Sequence, residues 1–388
     1  MVNTIQLLRD MIAIPSVNPM TTNSGAPVER AMANFIETTL TWAGIDCERQ
    51  QVAKGRDNVI GIVHANNGGS PAGVMLNSHM DTVPIDNMLI RPFDPIIKDD
   101  CIYGRGSCDA KASLAAMLTA VINYAQQSER PATVVFAAMA DEEFSFSGSW
   151  KLIEKQWPVS ACVVGEPTRL RRVIAHKGLV RWRISVEGLS AHGATPELGR
   201  NAVYDAARVV LALQEFAQQL NTGEPHHLLG QPTLNVGRIN GGQSVNIVPD
   251  RCELEAEMRL LPNADGKRWL KECLEFVRAR VGPEVGLTFA EPYLLDPAME
   301  TPAEALIVTS LGDARQQEFG DAGAIEGANY GTDGSKLARA GIQTIICGPG
   351  DIAQAHTDSE FVEIEQVELA ARVYTRLLSN WSLSERDC

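Results

Sequence analysis

The sequence predicts an α/β layer fold built on a mainly parallel sheet, with a separate α+β domain inserted into it. Short β-rich apolar runs alternate with helical patterns toward both ends of the chain, whereas a middle stretch reads β-α-β-β-α-β. The length of 388 residues suits two or three domains of roughly 100–200 residues each.

Val28, Met32, Phe35, Ile36 and Leu40 recur at helical spacing, and Gly44 stands where a left-handed C-cap belongs, which predicts an amphipathic helix over about 28–43. The runs Val59–Val63, Gly73–Leu76, Thr133–Met139, Cys162–Val164 and Thr344–Cys347 are short and continuous, as strands buried on both faces are. Leu114, Met117, Leu118, Val121 and Ile122 place a helix between two of them. From about residue 173 the texture changes. Val180–Val186, Thr233–Val236, Cys252–Leu260 and Val285–Phe289 read as strands, and Ala202–Leu220 and Trp269–Val281 as helices. The expected organisation is a discontinuous α/β domain, 1–172 and 298–388, around an insertion at 173–297. Glycine-rich pieces around 67–73, 237–242 and 320–334 read as loops.

Composition narrows the function classes. Hydrophobic residues at 45% and charged residues at 21% describe an ordinary globular chain. The excess of 48 acidic over 34 basic side chains, net −14, argues against a nucleic-acid partner or an anionic membrane surface. Eight cysteines without a CxxC pair read as free thiols in a reducing compartment. Arg9, Asp10, Pro15 and Pro19 interrupt the first twenty residues, and the longest apolar runs are far too short to span a bilayer, so the expected location is the cytoplasm.

The chemistry sits where the strands end. Gly73–Leu76 runs on to His79, at the carboxyl end of a buried strand, where open α/β sheets place their ligands. Asp81, two residues on, can reach the other imidazole nitrogen, although taken alone the pair reads first as a structural histidine. Tyr103–Lys111 is a Gly-punctuated turn ahead of a helix with Asp109 at its apex, which alone reads as an N-cap. Asp141-Glu142-Glu143 is either a solvated acidic turn or a set of carboxylates that needs a cation if any two are buried. Cys162–Val164 runs on to Glu166, and Thr344–Cys347 leads through Gly348-Pro349-Gly350 to His356. Five strand-end segments offering only oxygen and nitrogen donors are together what a two-metal hydrolytic site requires.

As a set, His79-Met80-Asp81, Gly104–Lys111, Asp141-Glu142-Glu143, Gly165-Glu166-Pro167-Thr168 and Ala355-His356 resemble the dinuclear zinc amidohydrolase and peptidase family. That family includes acetylornithine deacetylase, succinyl-diaminopimelate desuccinylase, glutamate carboxypeptidase and aminoacylase, and the likeness covers essentially the whole chain. It implies a zinc-peptidase-like catalytic domain carrying an inserted lid or dimerisation domain, and two Zn2+ ions, with Co2+ or Mn2+ also suited to mixed imidazole and carboxylate ligands. Asp109 would bridge the ions, His79 and Glu166 would complete one, and Glu143 and His356 the other. Glu142 would be the general base and Asp81 the partner of His79.

In the insertion, Ser190-Ala191-His192-Gly193 resembles the segment whose histidine stabilises the oxyanion in a partner subunit's site, which implies a homodimer. Asn246 and Arg259 resemble the residues that hold a substrate carboxylate, and Gly331-Thr332 the matching backbone contact. His64, His176, His226 and His227 match no motif and read as structural or surface residues. Two departures stand out: Ala112, where many relatives carry Gly, and Cys108 before the bridging aspartate, read as packing and not as a nucleophile. The expected reaction is hydrolysis of the amide bond of an N-acyl amino acid or short peptide. Gly348-Pro349-Gly350 with Gln354-Ala355-His356 resembles the acetylornithine deacetylase branch. A desuccinylase, carboxypeptidase or dipeptidase would use the same residues, and a catalytically silent binder of acylated amino acids would have no use for Glu142.

Overall fold

The computed structural model describes residues 2–19, 29–66, 70–86 and 88–381. The described residues form two compact units. One comprises the described residues within 1–174, 301–326 and 332–388, the other Ala175–Glu300 and Gly327–Gly331. The first predicted helix is present as Glu29–Trp42; Val28, Cys388 and positions 67–69 of the first glycine-rich piece lie outside the described residues.

The first unit is organised by a sheet whose centre is parallel. Ala132–Met139, Ser70–His79, Val159–Val164 and Gln343–Ile346 lie side by side in that order, each parallel to its neighbour. They are the continuous apolar runs of the sequence; Val74, Met75, Leu76, Val134, Phe136, Val163 and Ile345 are fully buried. Antiparallel strands flank this centre: Arg56–Val63 and then Asp46–Ala53 on one side, and Arg172–His176 on the other. Helix Lys111–Ala125 is buried almost along its whole length, against Thr4–Ile12 and Ile364–Asn380 as well as the sheet. A small second sheet pairs Phe361–Glu363 with Cys101–Tyr103, and the latter with Ile96–Lys98.

The second unit has the predicted β-α-β-β-α-β order. Its antiparallel sheet runs Thr233–Gly241, Arg251–Leu260, Gly178–Glu187, Gly286–Phe289. Period-two alternation sends Val180, Trp182, Ile184 and Val186 inward, against helices Ala202–Leu220 and Gly266–Val281, and leaves Arg181, Arg183 and Glu187 on the open face. Both helices start on side-chain caps: Asn201 accepts the N–H groups of Val203 and Tyr204, and Asp265 those of Lys267 and Arg268. Among the described residues no helix is long and apolar enough to cross a membrane.

Gly73 shows how closely the parallel strands approach. A Cβ there would lie 1.9 Å from the Thr133 carbonyl oxygen and 2.9 Å from that of Pro158, both main-chain atoms of neighbouring segments. Neither can give without moving a strand. Gly73→Ala should therefore cost about 1–3 kcal/mol of stability in urea unfolding, the scale of overpacking in a tight core; an unchanged midpoint would show that the sheet yields at this point.

Candidate metal centre

The parallel centre of the sheet brings the strand-end chemistry together. Four adjacent strands end on the same edge, so the residues that follow them converge there: His79, the Glu142-Glu143 pair, Glu166 and, ten residues beyond the last strand, His356. Asp109 arrives from the turn before helix Lys111–Ala125. It does not cap that helix, because the N-cap position is Ala110 and no side chain accepts there. The N-cap reading of Asp109 is thereby replaced. Its carboxylate is turned into the cluster, with Oδ1 3.0 Å from His79 Nε2 and Oδ2 3.3 Å from His356 Nε2. Glu143 Oε2 lies 3.2 Å from His356 Nε2, and Glu166 Oε2 3.8 Å from His79 Nε2.

Hydrogen bonds decide which of these groups can hold a cation. His79 Nδ1 faces the Asp81 main-chain oxygen at 2.9 Å. A carbonyl can only accept, so Nδ1 carries the proton, and in the neutral ring it is Nε2 that presents a lone pair to Asp109. A carboxylate oxygen and an imidazole nitrogen 3.0 Å apart need either a proton or a cation between them. Glu143 Oε1 is buried with no hydrogen-bond partner, and no described residue donates a hydrogen bond to the side chains of Glu142 or Glu166. Buried acceptors left without donors, beside imidazole lone pairs, suit divalent metal ions of borderline hardness.

Comparison with known proteins agrees with this chemistry. The family model described as peptidase family M20/M25/M40 matches residues 75–380. The chain belongs to this family. It is similar to an acetylornithine deacetylase of Proteus mirabilis, 30% identical over 400 residues, 98% of this chain and 97% of that one. An acetylornithine deacetylase of Myxococcus xanthus is 30% identical over 358 residues, 90% of this chain and 92% of its own. Among solved structures, the M20 family metallo-carboxypeptidase Sso-CP2 of Sulfolobus solfataricus shares the fold, with a TM-score of 0.80 at 19% identity over 97% of this chain and 99% of that one. As a member of the M20 family the chain is a metal-dependent hydrolase of amide bonds in small acylated amino acids or peptides.

Around this M20 centre a second layer of carboxylates is fully satisfied. Asp81 Oδ1 accepts the Glu142 N–H and Oδ2 the Glu143 N–H, both at 3.1 Å, and Asn18 Nδ2 donates to Oδ2 at 2.8 Å. Its carboxylate stands 3.6 Å from His79 Nδ1, so the expected bond to that nitrogen is made more closely by the Asp81 main chain. Asp141, first of the three consecutive acids, turns away in a left-handed conformation with φ of 65°. It is held by Arg56 at 3.0 Å, Asn18 at 2.8 Å and the hydroxyls of Ser145 and Ser147. Arg56 also pairs with the buried Glu29. Only two acids of the triplet therefore face the centre.

The titration behaviour reflects a surplus of negative charge. Burial pushes Glu142 and Glu166 well above the usual carboxylate range, and neighbouring carboxylates push the same way. Glu143 is raised to about 7 by burial and by Asp109. Burial opposes a charge on His79, yet the carboxylates of Glu166, Asp109 and Asp81 outweigh it and raise the ring well above its ordinary value. Asp109 and Glu143 raise the more exposed His356 to about 10. Burial acts to raise Asp109, but its bonds to His356 and His79 hold it below the ordinary range. Cys108 is buried with its thiol pushed well above 9.0, chiefly by desolvation, which leaves no thiolate to act as nucleophile.

The remaining candidates divide between the units. Thr332 is buried in the first unit, its hydroxyl accepting the Gly334 N–H, whereas Gly331 belongs to the second. In the second unit the Gly193 N–H donates to Asn246 O at 2.8 Å, which brings the His192 segment beside Asn246. Arg259 Nε donates to Glu257 at 2.6 Å, and Glu257 also receives Arg181. A further cluster, His226, His227 and Glu300, has the composition of a metal site. Its tautomer is wrong for one. His226 Nδ1 accepts the N–H groups of Leu228 and Leu229, so Nε2 carries the proton and donates to Glu300 at 3.0 Å, leaving no lone pair for an ion.

Sequence reasoning missed Asn18, Glu29, Arg56, Asp333 and Glu360. Asp333, adjacent to Thr332, is buried, accepts from Ser149 and is raised to about 6 by desolvation. Its position beside a motif residue was the available signal. The others are isolated polar residues in unremarkable contexts. Asp81→Asn should lower metal affinity or kcat/KM by about 10–100-fold, the scale for a partner of a ligand, because one amide nitrogen must then face an N–H donor. Metal content after dialysis and kcat/KM check it; wild-type values for both would remove Asp81 from the support of the Glu pair.

Proposed function

We propose that the chain is a dinuclear metal-dependent deacylase of small N-acyl amino acids, with N-acetylornithine the first candidate. The observation that carries the two-metal reading is Asp109, whose two carboxylate oxygens each face a different imidazole. Asp109 would bridge the ions, His79 and Glu166 would hold one, and Glu143 and His356 the other. Zinc is the first expectation, with cobalt or manganese compatible with the same donors. Bound there, the ions would supply Lewis acidity, polarising the acyl carbonyl and lowering the pKa of water.

Glu142 is the base in this reading. Its carboxylate is buried and takes no hydrogen bond from a described residue, while its main-chain N–H is fixed by Asp81. It accepts a proton as the water oxygen bonds to the acyl carbon, and delivers that proton to the amide nitrogen as the C–N bond breaks. His192 Nδ1 accepts the Ala194 N–H at 3.0 Å, which leaves the ring proton on Nε2, available to stabilise the developing oxyanion. The family resemblance assigns that role to the partner subunit of a homodimer. Arg259 spends its Nε on Glu257, and its two terminal nitrogens retain the geometry for a bidentate bond to a substrate carboxylate, with Asn246 and the Gly331-Thr332 backbone as further contacts. The curated relatives at 30% identity, both named acetylornithine deacetylases, support the choice of acyl amino acid.

A panel of N-acetyl, N-succinyl and dipeptide substrates, assayed with added zinc, cobalt or manganese, tests the substrate; N-acetylornithine should give the highest kcat/KM, and a preference for N-succinyl or dipeptide substrates would refute that choice. Glu142→Ala should keep its metal yet lose turnover by roughly a hundredfold or more, whereas Glu143→Ala should lose metal. Normal turnover in Glu142→Ala would dismiss the proposed base. Amidating the substrate carboxylate, or Arg259→Lys, should lower kcat/KM by about tenfold or more, as expected for loss of a bidentate charged contact; equal activity on the amide would reject the carboxylate contact.

A further inference from the structure

The side chain of Glu360 is fully buried in the first unit and has no part in the reading above. Its Oε2 accepts the Gly106 N–H at 2.9 Å and Arg105 Nη1 at 2.8 Å; its Oε1 accepts the N–H groups of Cys108 at 2.8 Å and Asp109 at 2.9 Å. Four donors fill the roughly four acceptor positions of one carboxylate. Glu360 therefore has no lone pair left for a metal, although it bonds directly to the backbone of Asp109. Its main-chain oxygen also accepts the Gly104 N–H at 3.1 Å, and strand Phe361–Glu363 begins at once, paired with Cys101–Tyr103.

Glu360 stands four residues beyond His356, in the same loop. The loop that carries His356 and the turn that carries Asp109 are thus fastened to each other at one side chain, more than 250 residues apart in sequence. An apolar side chain here would leave three buried N–H groups and Arg105 Nη1 without their acceptor. What the carboxylate adds is direction: four charge-assisted bonds that fix the turn from 105 to 109 relative to the strand that follows His356. We propose that Glu360 is a positioning residue that sets Asp109 against His356 and so determines how tightly the metal shared by these two residues is held. The proposal rests on the reading of Asp109 and His356 as ligands.

The test uses full-length protein stripped of metal by chelator dialysis and titrated with Zn2+ against a chromophoric chelator, beside thermal melts of the metal-free protein. Asp109→Ala and His356→Ala serve as controls for the ligand reading. Glu360→Gln keeps the volume and turns an amide toward N–H donors. It should fold, with a metal-free melting temperature near wild type, while its affinity for at least one Zn2+ falls about 10–100-fold, and kcat at saturating metal should recover most of its value. Wild-type zinc affinity in folded Glu360→Gln, with the two controls depleted of metal, overturns the role of Glu360 alone. Full metal content in both controls overturns the ligand reading and this proposal with it. Should Glu360→Gln fail to fold, Arg105→Met removes one of the four donors; zinc affinity about tenfold weaker, the scale of one hydrogen bond to a charged group, supports the proposal, and unchanged affinity rejects it.

Discussion

Buried negative charge is the constraint on which this structure turns. Asp81, Asp109, Glu142, Glu143 and Glu166 are gathered at one edge of the parallel sheet, all with little or no exposed side chain, at separations where like charges raise one another's pKa. Water cannot screen them there. Each must find a hydrogen-bond donor, a proton or a cation, and the protein divides them by which of these it supplies.

The division is visible in the hydrogen bonds. Asp81, Asp141 and Glu360 are given fixed donors: main-chain N–H groups for the first and last, and Arg56, Asn18 and two serines for Asp141. Glu142, Glu166 and one oxygen of Glu143 are given none by the described residues. Carboxylates of the first kind have their lone pairs occupied and serve to hold backbone in place. Those of the second kind retain lone pairs for an ion or a moving proton. Asn18 joins the layers at a single point, donating to both Asp81 and Asp141, so the turn that presents the Glu pair is fixed from two sides.

This also explains what the sequence could disclose. The apolar runs that become the parallel strands are continuous because both faces are buried, and each ends abruptly on an acid or an imidazole, so the convergence of His79, Glu143, Glu166 and His356 was legible from strand ends alone. The roles within Asp141-Glu142-Glu143 were not. They depend on the left-handed turn at Asp141 and on Arg56, 85 residues away. The N-cap that the Asp109 segment taken alone suggests is not formed: Ala110 holds that position, and the Asp109 N–H is bonded to Glu360, a contact 251 residues distant with no local signature. Strand Asp46–Ala53 went unseen for a different reason: it is a half-exposed edge with mostly polar side chains and no apolar alternation to mark it.

Histidine shows most directly why composition is a weaker guide than one hydrogen bond. His79, His192 and His226 are the same side chain, and two of them stand beside carboxylates. His79 gives its Nδ1 proton to a carbonyl, which in the neutral ring leaves a lone pair facing Asp109, the state that the proposed ligand role requires. His226 takes two N–H groups on Nδ1, which turns a proton toward Glu300 and makes the ring a donor that holds a loop. His192 also takes an N–H on Nδ1, which leaves the ring proton on Nε2, the state that the proposed oxyanion role requires. The backbone around each ring thus sets which nitrogen of the neutral imidazole carries the proton and which the lone pair, before any substrate or ion arrives.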